Sequence, residues 1–73
     1  MEIPERPNRL AFFRRQLGLT AHALALEVGV APQTITRIES GYIRKPRRIT
    51  KEAIAETLGV SVREVWPDGD GDD

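Results

Sequence analysis

The chain has no cysteine and a single histidine, which excludes a disulfide framework, thiol redox chemistry and any Cys-based zinc site. No apolar run approaches the roughly 18 residues of a membrane span. The opening MEIPERP lacks the layout of a signal peptide. A soluble, cytoplasmic protein with no membrane association is therefore expected. Catalytic sets are missing as well: no Ser/His/Asp or Cys/His constellation, no H-E-x-x-H and no glycine-rich phosphate loop. Neither enzymatic activity nor a cofactor or metal is expected. Aromatic residues make up only 5% of the chain, so a core must be assembled from aliphatic side chains. With 73 residues there is room for one domain. A domain of that size buries only about 60% of its unfolded surface, which favours locally connected helical packing.

Net charge is also lacking, with 11 basic and 11 acidic residues, but the charges are unevenly placed. Asp68, Asp70, Asp72 and Asp73 crowd the last six positions, so residues 1–67 carry eleven basic against seven acidic groups, or +4. Arg37, Arg44, Lys45, Arg47, Arg48 and Lys51 stand together with only Glu39 among them. Such a cluster is either a solvated loop or a local positive field for an anionic partner.

Residues 1–7 hold two prolines and little apolar content, and read as a flexible arm. Asn8 offers an N-cap oxygen for a first helix over Asn8–Leu17, ended by Gly18, with Leu10, Phe13 and Leu17 on one face. Phe12 falls off that face, for rim packing or for a partner. Thr20 caps a second helix, Ala21–Val28, which turns inward Leu24, Ala25 and Val28 and leaves His22 and Leu26 outside. His22 reads as a solvated helix residue. Gly29 suits the left-handed turn into a third helix, Pro32–Ser40, with Val30 plugging the corner.

Pro32 fits a first helical turn, where no N–H is needed, whereas Ala31 before it is a weak cap. Ile35 and Ile38 form the buried stripe of this third helix. Gln33, Thr36 and Arg37 form a polar stripe on another face. After Gly41, the loop Tyr42–Ile49 carries the basic cluster. Thr50 offers a cap for a fourth helix, Lys51–Leu58, with Ala53, Ile54 and Leu58 as its apolar contacts. Ser61-Val62-Arg63-Glu64 is a capping box opening a short fifth helix that brings Val62, Val65 and Trp66 to the core. The domain so read spans 8–67, and residues 68–73 form a disordered acidic tail.

Five short helices in this order, with L-x-x-F-R at Leu10–Arg14, G-L-T at Gly18–Thr20, L-A-x-x-V-G-V at Leu24–Val30, T-I-T-R-I-E at Thr34–Glu39 and L-G-V-S-V-x-E-V-W at Leu58–Trp66, make the sequence similar to the lambda-repressor/Cro type of helix-turn-helix domain, the xenobiotic-response-element family. The resemblance implies an all-α, five-helix fold with the helix-turn-helix at the second and third helices. It implies a sequence-specific duplex DNA-binding transcriptional regulator, a repressor, whose third helix enters the major groove while the second crosses the backbone. Pro32, Gln33, Thr36 and Arg37 then face bases. Gln suits adenine N6/N7 and Arg suits guanine O6/N7, each worth about 1–3 kcal/mol of discrimination, while Thr36 can touch a thymine methyl.

On the same analogy Thr20, Thr34, Tyr42, Arg44, Lys45 and Arg48 contact phosphates, and Arg47 is the candidate for an A·T-rich minor groove. Tyr42 has packing against the fourth helix as its alternative. Arg14 and Glu39 are implied to pair as a structural tie. One departure stands out: Ala21 occupies a position where relatives often carry a phosphate-holding Gln. Small members of the family bind palindromic operators as homodimers, with half-sites about 34–36 Å apart. Here Val62, Trp66 and the loop before the fourth helix are the candidate dimer edge. The alternative function is a protein-binding module, such as an antitoxin or adaptor, motivated by Ile3, Phe12 and Leu26, which have no obvious core place.

Overall fold

The computed structural model describes residues 7–67 of the chain. The arm before Pro7, with Ile3, and the tail 68–73 lie outside the described residues. Five helices follow in order: α1 Leu10–Gln16, α2 Ala21–Val28, α3 Pro32–Ser40, α4 Arg48–Leu58 and α5 Val62–Val65. Helices α2 and α3 form the most extensive pair; α4 closes on α2, α5 on α4, and α1 on α3. Leu10, Leu24, Ala25, Ile35, Ile38, Ile54, Ala55, Leu58, Val65 and Trp66 meet in one core. Each large aliphatic among them contributes about 1.5–3 kcal/mol of burial.

Helices α2 and α3 begin and end where their local chemistry dictates. The Thr20 hydroxyl accepts the Ala23 N–H at 3.0 Å. Gly29, at φ +91°, turns the chain by accepting a conformation that a Cβ disfavours. Ala31 makes no side-chain cap, and Pro32 opens α3. At the fifth helix, the Ser61 hydroxyl accepts from the Glu64 N–H at 3.1 Å while the Glu64 carboxylate accepts from the Ser61 N–H at 3.2 Å.

Three expectations need correcting. The first helix starts at Leu10, with Arg9 as its N-cap. Asn8 is buried below it, where its Oδ1 accepts from the Leu10 N–H at 3.0 Å and its Nδ2 donates to the Ile38 carbonyl at 2.9 Å. The amide thus serves two helices, which a surface cap does not. Leu17 lies beyond the end of α1 and is 52% exposed. Because the helix stops one residue short of it, half-buried Leu19 packs on the core in its place. The fourth helix begins at Arg48 instead of Lys51, with extended Arg47 as N-cap and the Lys51 N–H donating to the Arg47 carbonyl at 2.9 Å. Pro46 forces its predecessor to remain extended, so the helix opens soon after it and Thr50 lies within its first turn.

Candidate nucleic-acid interface

The amphipathic division of α3 sets the candidate surface. Ile35 and Ile38 are buried behind it, while Gln33, Thr36 and Arg37 are exposed in front. Pro32 and Thr34 are half-buried. The Thr36 hydroxyl donates back to the Gln33 carbonyl at 3.1 Å, leaving the methyl as its unengaged group. Thr20 uses its oxygen as a cap and keeps its O–H proton free to donate.

Beyond α3 the chain turns sharply. Gly41 adopts φ +90°, and a Cβ there would come within 3.2 Å of Pro7 Cγ. The Ser40 hydroxyl donates to the Arg37 carbonyl at 3.2 Å and accepts from the Tyr42 N–H at 3.3 Å. The Ile43 N–H donates to the same Arg37 carbonyl at 3.0 Å. This turn sets Tyr42, 77% exposed, against Arg37, whose guanidinium carbon lies 5.5 Å from the ring centroid. Tyr42 therefore packs on α3's own arginine, an arrangement absent from the sequence expectation.

In the loop, half-buried Ile43 and buried Pro46 hold the backbone down, while Arg44, Lys45 and Arg47 stand exposed beside them. Arg48 approaches Glu52 at 3.7 Å in a solvent-exposed i,i+4 pair, which is worth only about 0.3–0.5 kcal/mol and leaves Arg48 free to exchange partners. Lys51 departs from the rest of the basic cluster. It is 5% exposed, with Nζ 5.7 Å from the Trp66 ring centroid, and belongs to the core edge. Trp66 itself is only 2% exposed, so it is a core aromatic and not part of a dimer edge. Its buried indole N–H has no hydrogen-bond partner among the described residues.

The pose of α3 is fixed from behind. Arg14 and Glu39 meet in a two-pronged ion pair, Nε to Oε2 at 2.6 Å and Nη2 to Oε1 at 3.1 Å, with both side chains 12% exposed. Arg14 Nη1 also donates to the Leu19 carbonyl at 2.9 Å. The hydrogen bond to Glu39 holds the Arg14 guanidinium above the ordinary arginine range, outweighing its burial, and the Glu39 charge adds to the effect. With the Asn8–Ile38 bond, this places two polar ties on the last turn of α3.

Sequence reasoning missed the Asn8 tie, the burial of Lys51 and the Arg37–Tyr42 contact. Only the second had a helical signal: Lys51 shares the i, i+3, i+4, i+7 face of Ile54, Ala55 and Leu58. Arg37–Tyr42 had none, because the contact crosses a left-handed glycine. Among the described residues no group of His, Cys, Asp and Glu is placed to hold a metal ion, and no helix is long and apolar enough to cross a membrane. Phe12, Leu26 and Ile49 stay exposed on three different helices.

Comparison with known proteins agrees with this architecture. SinR from Bacillus subtilis is similar through its N-terminal DNA-binding domain at 29% identity, over 75% of this chain and 80% of that one, with a TM-score of 0.71. In its complex with DNA the TM-score is 0.72, over 75% of this chain and 87% of that one. The clp gene regulator ClgR from Corynebacterium glutamicum matches at 27% identity over 85% of this chain and 65% of that one, with a TM-score of 0.73. Hydroxypropylphosphonic acid epoxidase from S. wedmorenis also matches, at 28% identity over 80% of this chain, with a TM-score of 0.67. This chain spans only 30% of that enzyme, so the likeness is to one part of it. Residues 10–65 match the helix-turn-helix family, and the chain belongs to that family, in its lambda-repressor/Cro type.

Proposed function

We propose that this protein is a DNA-binding transcription regulator that reads the major groove with α3 and grips the backbone with the loop that follows. The observation that carries the reading is the face of α3 that bears Gln33, Thr36 and Arg37 outward while Ile35 and Ile38 lock its back into the core. Gln33 and Arg37 carry most of the base information, since each can make a bidentate contact to a purine. Pro32 and the Thr36 methyl add apolar contact. Arg44, Lys45 and Arg48 neutralise phosphates, Arg47 enters the minor groove, and Thr20 and Thr34 flank the backbone. The similarity to SinR, of which a DNA complex is known, supports DNA binding.

On this reading the protein acts in the cytoplasm as a repressor, binding a palindromic operator as a homodimer. Selection from a random duplex pool tests the whole proposal. A palindromic consensus with half-sites about one helical turn apart is expected; failure to enrich any sequence refutes sequence-specific binding. On the selected duplex, Arg37→Ala should lose about 1–3 kcal/mol and relax one base position, and Arg47→Ala should lose preference for A·T pairs. Three phosphate contacts per half-site, six over the palindrome, should give a slope of log K against log salt of about −5.4. Sedimentation on the selected duplex reads the stoichiometry, and one chain per palindrome would reject the dimer. A protein-binding role is the second reading. It is favoured by exposed Phe12 and Leu26 and by the similarity to SinR, which is also known in complex with SinI protein.

A further inference from the structure

We propose that Tyr42 is a positioning residue for Arg37: its ring holds the guanidinium by a cation–π contact that uses no hydrogen-bond acceptor, so that the donors remain available to a base. The inference rests on the reading of α3 as the DNA-reading helix and assigns a role to a residue outside that helix. An arginine fork is planar, with all five N–H donors in its plane. A cation–π contact needs no hydrogen-bond acceptor, whereas a carboxylate partner would consume those donors. Here the guanidinium carbon lies 5.5 Å from the Tyr42 centroid, and no hydrogen bond or ion pair engages the Arg37 side chain among the described residues.

The ring is held there by the backbone rather than by burial. Gly41 at φ +90° reverses the chain. Ser40 Oγ bridges the Arg37 carbonyl and the Tyr42 N–H, and the Ile43 N–H returns to that same carbonyl. Half-buried Ile43, packed against the core, anchors the far side. Arginine side chains otherwise sample many rotamers at an exposed site. Confining this one ahead of binding removes part of that ordering loss from the binding step. An exposed cation–π contact biases the population by about two- to fivefold, which sets the size of the effect. The Tyr42 hydroxyl has no part in it, and this separates positioning from a direct phosphate hydrogen bond.

A double-mutant cycle with the full chain tests the proposal. The probes are a duplex selected from a random pool by the unsubstituted protein and the single-base variants of that duplex. Tyr42→Ala should weaken binding by about two- to fivefold and flatten preference at the base pair that Arg37→Ala also makes indifferent. Tyr42→Phe should bind as the parent does, and Tyr42→Ala should cause no further loss when Arg37 is already alanine. Urea midpoints should be unchanged in both Tyr42 variants, since the ring is exposed. Equal losses in Tyr42→Phe and Tyr42→Ala would assign the hydroxyl to phosphate and overturn the proposal. So would losses that multiply with Arg37→Ala, or an unchanged or tighter Tyr42→Ala, the last meaning that the ring parks the arginine away from DNA. Retained affinity and base preference in Arg37→Ala itself would be a different failure, that of the reading of α3, and would remove the proposal with it.

Discussion

Replacing Arg14 with alanine should destabilise the domain by about 3 kcal/mol, near the lower end of the range for breaking a buried ion pair. The side chain is 12% exposed and makes three hydrogen bonds, two to Glu39 and one to the Leu19 carbonyl. Its removal leaves the Glu39 carboxylate almost enclosed, one residue from the C-terminal end of α3, where the helix dipole also disfavours negative charge. Glu39→Ala should be milder. The Arg14 guanidinium keeps the Leu19 carbonyl and lies in the last turn of α1, where positive charge is favoured. The double variant should therefore fall short of the sum of the single losses by about 1–2 kcal/mol.

A domain of 73 residues has roughly 4–11 kcal/mol of total stability, so the Arg14 variant should melt roughly 10–25 °C lower. Urea unfolding followed by circular dichroism gives the energies directly, provided the slope is unchanged. The raised Arg14 ionisation fixes the pH behaviour. Stabilisation from a group whose folded-state pKa is raised is fully present below its unfolded value and fades only as pH rises through the folded one. The contribution of Arg14 protonation should thus be flat through neutral and moderately alkaline pH and decline only above the ordinary arginine range. A loss under about 1 kcal/mol in Arg14→Ala, or strict additivity with Glu39→Ala, would refute the buried-tie argument.

Other substitutions separate neighbouring effects. Ser61→Ala removes one arm of the capping box and should lose about 1 kcal/mol by urea titration, as should Thr20→Ala at α2. Gly29→Ala and Gly41→Ala both place an alanine at φ near +90° and should each lose about 1–2 kcal/mol. Gly41→Ala should exceed Gly29→Ala, because its Cβ meets Pro7 Cγ at 3.2 Å while that of Gly29 meets nothing within 4 Å; equal losses would show that Pro7 yields freely. Lys51→Met keeps an unbranched stem beside Trp66 and should leave the salt slope of DNA binding unchanged. Arg44→Ala should reduce the magnitude of that slope by about 1.8, one contact being lost in each half-site.

The helices that could be read from sequence are those with local punctuation. Thr20, Gly29, Pro32, Gly41 and the Ser61 capping box each act within one turn, and α2 and α3 begin and end where those residues predict. Where α1 and α4 differed, the deciding partner was distant in sequence or already part of the core. Asn8 answers to Ile38, thirty residues away. The start of α4 follows buried Pro46 and the packing of the Lys51 stem, whereas the hydroxyl of Thr50 advertises a later one. The exposed stripe of Gln33, Thr36 and Arg37 was legible because it is the complement of Ile35 and Ile38. The contact of Tyr42 with Arg37 was not, since no periodicity passes through a residue at φ +90°.

A helix that must offer its outer face to a partner cannot draw its stability from that face. In α3 the outward side chains make few contacts with the rest of the molecule, and the N-terminus begins without a side-chain cap, a deficit of about 1 kcal/mol against Ser or Asp. Two buried isoleucines and two polar ties at its last turn offset that deficit from the inner side. Asn8 and Glu39 act near the C-terminal end, whereas α2 supports the length of the helix through the core. The arrangement predicts that substitutions divide by face. Gln33→Ala should change base preference with stability held within about 0.5 kcal/mol, as for an exposed side chain without structural partners. Asn8→Ala should do the reverse, losing about 1–3 kcal/mol of stability by leaving the Leu10 N–H without its side-chain acceptor and the Ile38 carbonyl with only the Gly41 N–H. Its base preference should survive at temperatures where it is folded. If Asn8→Ala instead altered which base is preferred while remaining fully folded, the tie would be setting the angle of α3 and not only its stability, and the division between the two faces would fail.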